Sequence, residues 1–178
     1  MPYILTLCAV LPCMLYLCWQ DCKYRKLSNT MTLGLAGLGL AARVWTGGLS
    51  GFCDGLLGGL VCGGFLMIPY MLKSAGGGDV KMLFAAGVIT GFRFAFTELL
   101  FVSLIGLLVG LIMVCFGLVT TARLRHCLRI VFDWRYDRKK GAENLPKKTD
   151  ERTRVPFGVA IATGTVLTLL YAFYLERI

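Results

Sequence analysis

The sequence has few charged residues, a single histidine and no two cysteines spaced as Cys-x-x-Cys. Only 16% of its 178 residues are charged, whereas 57% are hydrophobic and the mean hydropathy is +0.71. A water-soluble domain of this length carries far more charge. The missing Cys-x-x-Cys spacing argues against a thiolate zinc site, so no metal and no cofactor are expected.

The first apolar run also lacks the features of a cleaved signal peptide. It has no basic segment before it and no small-residue cleavage site after it, so it is expected to stay in the protein as a span. Most of the eight cysteines lie inside apolar runs, where cysteine is typically a small apolar filler. These cysteines therefore do not indicate a disulfide framework.

Long apolar runs predict a polytopic membrane protein, because crossing a bilayer takes about 20 residues. An open sheet would leave unpaired backbone groups in lipid, so an all-α bundle of about six transmembrane helices is expected. We expect one membrane-embedded domain over residues 1–178, containing a long basic loop at 120–154. The predicted spans cover residues 2–19, 30–45, 52–72, 82–96, 99–119 and 155–175.

The basic residues decide the expected orientation. Of the 19 Lys and Arg residues, all but Arg43, Arg93 and Arg177 lie in the predicted loops after spans 1, 3 and 5. Basic loops stay in the cytoplasm, so both termini are expected outside and the net charge of +9 does not indicate nucleic acid. Arg43 is expected to snorkel to the membrane surface.

Glycines recur every fourth residue in the third predicted span, at Gly51, Gly55, Gly59 and Gly63. This spacing puts them on one helical face, and we interpret them as a seam for close helix packing. Asp54 near the start of the same span is interpreted as a helix N-cap. A tight turn is predicted over residues 46–50.

Two aspartates are expected at the same membrane depth. Asp21 follows span 1, and Asp79 follows three glycines between spans 3 and 4. Two neighbouring carboxyls cannot both ionise easily, so one retains a proton. The ionised carboxyl could then take a proton from water while its protonated partner polarises a peptide carbonyl. This arrangement predicts peptide hydrolysis without a covalent intermediate.

Nucleophilic alternatives are weaker. The serines on this face could only use His126, which lies in the long loop, and a lone loop histidine is ordinarily solvated. A Cys22–His126 pair is the remaining alternative, although no spacing supports it. The aspartate pair is therefore preferred.

The chain resembles the type IV prepilin peptidases, a GxGD aspartic protease family. The resemblance rests on Gly76-x-Gly78-Asp79, on Asp21-x-x-x-Arg25-x-x-x-Asn29 after the first span, and on Val155-Pro156-Phe157-Gly158-Val159-Ala160 opening the last. It implies that Asp21 and Asp79 are the catalytic pair. Supporting or substrate-binding positions would be Gly76, Gly77, Gly78, Lys81, Arg25, Asn29, Pro156, Phe157 and Gly158.

The same resemblance implies a function. The enzyme would sit in a bacterial-type inner membrane and cut the basic leader from a prepilin-like precursor on the cytoplasmic side. The chain is similar to the short, peptidase-only forms of tight-adherence (Flp-type) pilus systems, so N-methylation is not expected. Expected partners are the precursor and the lipid bilayer, with homo-oligomerisation open. The alternative is a non-enzymatic membrane scaffold or small transporter subunit.

Overall fold

The computed structural model describes residues 2–24, 29–71, 76–116 and 157–177, and every element in these ranges is an α-helix. The helices are α1 (Pro2–Tyr24), α2 (Asn29–Met71), α3 (Gly77–Thr90), α4 (Phe92–Cys115) and α5 (Phe157–Arg177). The expected all-α architecture is therefore confirmed for this part of the chain. The predicted loop at 120–154 lies outside the described residues.

Helix α1 is longer than its apolar run. The prediction ended the span at Trp19, but the helix continues to Tyr24 and includes the polar residues Gln20 and Asp21. Polar side chains of this kind do not break a helix once an apolar stripe anchors it to its neighbours. Asp21 consequently lies in the last turns of a helix instead of in the loop that follows it.

Helix α2 bends back on itself at Gly48. This glycine has φ 59° and ψ −138°, a left-handed backbone conformation that glycine adopts without steric cost. The predicted turn over residues 46–50 is thereby confirmed, and α2 has a first arm (residues 29–47) and a second arm (residues 49–71). The arms pack against each other, since a Cβ on Gly55 would lie 3.6 Å from Leu40 Cδ1.

The second arm of α2 packs against α3 through its glycines, as the four-residue spacing predicts. A Cβ on Gly55 would lie 3.1 Å from the Val88 carbonyl oxygen, and one on Gly63 would lie 3.1 Å from Phe84 Cβ. Larger side chains would push the two backbones apart. The glycine face is therefore a packing seam that brings α3 into the centre of the molecule.

Helix α3 is the buried centre of the bundle. Met82, Leu83 and every residue from 85 to 90 are buried. The helix has 14 residues, and at 1.5 Å per residue it is about 21 Å long, shorter than a bilayer's hydrocarbon core. Six spans are not confirmed: among the described helices, α2, α4 and α5 are long and apolar enough to cross a membrane.

The boundary between α3 and α4 differs from the prediction. One span was expected over residues 82–96, yet α3 ends at Thr90 and α4 begins at Phe92. Gly91 between them has φ 80°, which a helix interior does not allow. The outward faces of α4 are apolar and exposed, as at Leu104, Leu107 and Leu111, which suits contact with lipid.

Candidate active site

Asp21 is buried where α1 meets the first turn of α5. Its side chain is 7% exposed, and its Oδ2 accepts a 2.9 Å hydrogen bond from the Gly158 N–H. A carboxylate near the C-terminal end of its own helix faces the negative end of that helix dipole. The N-terminus of α5 compensates, since its first N–H groups have no partner within the helix and attract negative charge.

Gly158 is required for this contact. A Cβ at this position would lie 2.7 Å from Asp21 Oδ2, closer than real Cβ atoms approach other atoms, and 3.1 Å from its Cγ. The Gly158 carbonyl also lies 3.5 Å from Cys18 Sγ, one helical turn before Asp21. The structure thus brings together two predicted site residues that are 137 positions apart in sequence.

Asp79 occupies the first turn of α3. Gly76 is the N-cap, and the Gly76 N–H donates to Asp79 Oδ2 at 3.2 Å while the Asp79 N–H donates to the Gly76 carbonyl at 3.1 Å. An acidic side chain at this position also interacts favourably with the helix dipole. Asp79 is half-buried and fixed by its own helix start.

The three glycines before Asp79 therefore form a helix start and not an open loop. Gly76 has an extended backbone (φ −80°, ψ 142°), and Gly77 and Gly78 are already helical. Gly77 packs against the end of α2, where a Cβ would lie 3.2 Å from Tyr70 Cε2. This contact fixes the beginning of α3 beside the end of the second arm.

Asn29 and Lys81 contact each other at the N-terminal ends of α2 and α3. Lys81 Nζ donates a 2.9 Å hydrogen bond to Asn29 Oδ1 at the exposed surface. Asn29 is the first residue of α2, and Lys81 lies two residues after Asp79. Two supporting residues from separate motifs are thus joined. Arg25 and Pro156, which were predicted to support the site, lie outside the described residues.

Phe157 has a packing role. Its ring lies against α4, where a Cβ on Gly106 would be 2.7 Å from Phe157 Cε2, and it packs on the hydrophobic core. Gly110, one helical turn further along α4, has no such contact, since a Cβ there would meet nothing within 4 Å among the described residues. Phe157 therefore seats the start of α5, which carries Gly158.

Sequence reasoning missed Glu98 in α4. Its side chain is 0% exposed, Thr165 Oγ1 of α5 donates a 2.8 Å hydrogen bond to its Oε1, and its Oε2 has no partner among the described residues. The signal was present in the sequence, because a lone carboxyl inside an apolar run is costly and usually has a specific partner. Glu98 joins α4 to α5 two helical turns away from Gly158.

Arg43 and Asp54 form an ion pair at the opposite end of the bundle, next to the Gly48 bend. Arg43 Nη1 lies 2.8 Å from Asp54 Oδ2, and the guanidinium also donates to the carbonyls of Ile89 (3.1 and 3.0 Å) and Thr90. The expectations that Arg43 snorkels and Asp54 is an N-cap are wrong. The bend at Gly48 returns the chain and brings the two charges together.

Within the described ranges, no three His, Cys, Asp or Glu side chains lie close enough together to hold a metal ion. The two carboxylates of the predicted catalytic pair both lie at helix ends. Asp21 lies near the end of α1, Asp79 in the first turn of α3, and their partners Gly158 and Gly76 are backbone donors. The arrangement is that of a helical membrane protein whose candidate chemistry rests on carboxyl groups.

The sequence matches the family model of the type IV leader peptidase family over residues 8–118, more than half of its 178 residues. The chain therefore belongs to that family, as the motifs had indicated. The matched stretch contains Asp21 and the Gly76–Asp79 segment, and ends before α5 begins. No curated protein and no solved structure matches the chain.

Proposed function

We propose that the protein is an aspartic endopeptidase that removes the leader peptide from pilin-like precursors at the cytoplasmic face of the membrane. The family membership supports a leader peptidase in general. The observation that carries the aspartic mechanism is the Gly158–Asp21 hydrogen bond, because it ties a carboxylate of the matched region to the Pro156-Phe157-Gly158 motif beyond it.

In the proposed mechanism, Asp21 and Asp79 act as a pair. One carboxylate accepts a proton from a water molecule as that water attacks the scissile carbonyl, and the other carboxyl donates a hydrogen bond to the carbonyl oxygen. The proton then passes to the leaving amine, so the two carboxyl groups of the enzyme are regenerated. Gly158 and Gly76 hold the two carboxylates at fixed orientations through backbone N–H groups, which lowers the cost of arranging them in the transition state.

The orientation of the enzyme is part of the proposal. Lys23 and Lys81 lie at the aspartate end of their helices, whereas Arg43 pairs with Asp54 at the other end. The side of the membrane with the excess of Lys and Arg is the cytoplasmic side. The active site would therefore face a leader that has not crossed the membrane.

The test is co-expression with a pilin precursor, comparing wild type with Asp21→Asn and Asp79→Asn. Each substitution keeps the side-chain volume but removes the ionisable group, so each alone should abolish processing while the protein still inserts into membranes. The two losses should not add, because both residues serve one step. Asp133→Asn, which the proposal gives no role, is the control.

Immunoblots of membrane fractions report both the protein level and the fraction of precursor processed. Near-normal processing by either active-site variant would remove that residue from the mechanism. Absence of processing by the wild type would favour the alternative of a non-enzymatic scaffold.

A further inference from the structure

We infer that an apolar groove beside Asp79 receives the first residues of the substrate's apolar helix, an inference that rests on the proposed function. The groove has a volume of about 330 Å³ and lies between the two arms of α2 and the first half of α3. Pockets that bind ligands in proteins start at about this volume. Its walls include Thr32, Gly64, Met67, Val80, Lys81 and Phe84.

The groove begins at the candidate cleavage site. Val80 and Lys81, which line it, directly follow Asp79 in the first turns of α3. One helical turn rises about 5.4 Å, so these two wall residues lie within one turn of Asp79 along α3. A chain held for cleavage at Asp79 must place the residues next to its scissile bond at this opening.

The polarity of the groove matches a chain that changes from a basic leader to an apolar helix. Lys81 carries a positive charge close to Asp79 in α3, and the other walls include the apolar side chains of Ala36, Leu60 and Phe84. The Lys81 ammonium repels a basic leader, so the groove accepts the apolar segment and excludes the leader. The boundary between the two segments is thereby held at Asp79.

The groove is open towards the membrane. Leu33, Leu60 and Met67 at its rim are all at least half exposed, and a Cβ placed on Gly64 would meet no atom within 4 Å. A membrane-embedded helix can therefore enter from the side without passing through water. A lipid acyl chain is the alternative occupant of the same opening, and photo-crosslinking distinguishes the two.

Gly64→Leu fills the groove without disturbing the fold, because the new side chain grows into open space. Gly34→Leu is the matched control: Gly34 is an exposed glycine of the same helix, has equally open space, and does not line the groove. We expect Gly64→Leu to lower kcat/KM for a membrane-inserted precursor at least about ten-fold, and Gly34→Leu to leave it within about two-fold.

A short soluble peptide that spans the cleavage site but lacks the apolar helix separates docking from chemistry. Gly64→Leu should cut this peptide at the wild-type rate. The groove assignment is overturned if Gly64→Leu processes the precursor normally, if both leucine variants are slowed equally, or if the peptide is slowed as much as the precursor.

Photo-crosslinking measures docking without cleavage. In the Asp79→Asn background, p-benzoylphenylalanine replacing Gly64 should form an adduct with the apolar segment of the precursor, and the same probe replacing Gly34 should not. Adducts with lipid alone would overturn the assigned occupant. If adducts form but the wild type does not cleave the precursor, the docking site is supported and the peptidase activity is refuted. If the wild type cleaves the precursor but no adducts form, the peptidase activity is supported and the docking site is refuted. The absence of both would refute both.

Discussion

Among single residues, Gly158 bears most directly on the candidate chemistry. Its amide holds Asp21 Oδ2, and a methyl group in place of its hydrogen would be 2.7 Å from that oxygen. Because α5 is also seated on α4 by Phe157, the helix cannot move away freely. The glycine in this motif is therefore explained by the space that the carboxylate needs.

Gly158→Ala should lower the rate of precursor processing by about ten-fold to a hundred-fold, because the aspartate or α5 must shift by a few tenths of an ångström or more. Gly110→Ala is the control, since a Cβ there meets nothing within 4 Å. The measurement is the initial processing rate in membranes at equal protein levels. Wild-type rates for Gly158→Ala would mean that the Gly158–Asp21 contact does not position a reacting group.

The buried Glu98 carboxyl is expected to lower the stability of the folded protein, and its hydrogen bond with Thr165 offsets part of that cost. Thr165→Val removes the hydrogen-bond donor to Oε1 and should destabilise the protein by about 1–3 kcal/mol, because a second buried oxygen then loses its partner. Glu98→Leu combined with Thr165→Val removes both polar groups and should be less destabilising than Thr165→Val alone. Thermal unfolding of the purified protein in detergent measures the difference between these two variants. A double variant less stable than Thr165→Val would contradict this expectation.

At the scale of helices, the Arg43 guanidinium joins the two arms of α2 to the C-terminal end of α3. It pairs with Asp54 of the second arm and donates to two carbonyls at the C-terminal end of α3. These carbonyls would otherwise lack partners at the helix end. A cation there also interacts favourably with the negative end of the α3 dipole. This contact explains why α3 stops where Gly91 turns the chain.

Arg43→Ala should therefore destabilise the protein more than Asp54→Ala, by about 1–3 kcal/mol for the arginine, because it removes hydrogen bonds to the helix end as well as the ion pair. The pair is partly exposed, at 17% for Arg43 and 33% for Asp54, so the ion pair alone contributes little. Chemical unfolding in detergent measures the difference. Equal losses would show that the carbonyl contacts contribute nothing measurable.

The sequence predicts which segments are helical better than it predicts where each helix ends. The Gly48 turn is predictable because polar and glycine residues cluster around it, whereas Gly91 follows Gly87 in a mostly apolar stretch without such a cluster. The left-handed conformation at Gly91 depends on tertiary contacts, since Arg43 and Asp54 crowd the space a side chain would occupy. The Arg43–Asp54 pair was not predicted, although the predicted turn over residues 46–50 brings both residues to the same end of the two arms.

At the scale of the whole molecule, charge is divided between the two ends of the bundle. The contact between Gly158 and Asp21 puts the start of α5 at the aspartate end, so Arg177 at the last position of α5 lies at the other end. Arg43 and Arg93 flank the Gly48 bend and the Gly91 break, also away from the aspartates. The motifs around both aspartates were predicted to share one face, and the Asn29–Lys81 and Gly158–Asp21 contacts each join two of these motifs.

The division of charge between the two ends of the bundle predicts a membrane topology that can be measured. Arg43 is paired with Asp54, which leaves the end opposite the aspartates with little net positive charge to hold it in the cytoplasm. A single cysteine at Thr149, in a chain with its natural cysteines replaced, should be protected from an impermeant thiol reagent in intact cells and labelled after lysis. A cysteine at Ile178 should be labelled in intact cells. Cysteines at Ser50 and Ser74 are the internal controls, expected outside and inside.

Labelling of Thr149→Cys in intact cells would put the aspartates on the outer face, where they could not meet a leader still in the cytoplasm. This result would refute the proposed orientation while leaving the family membership intact.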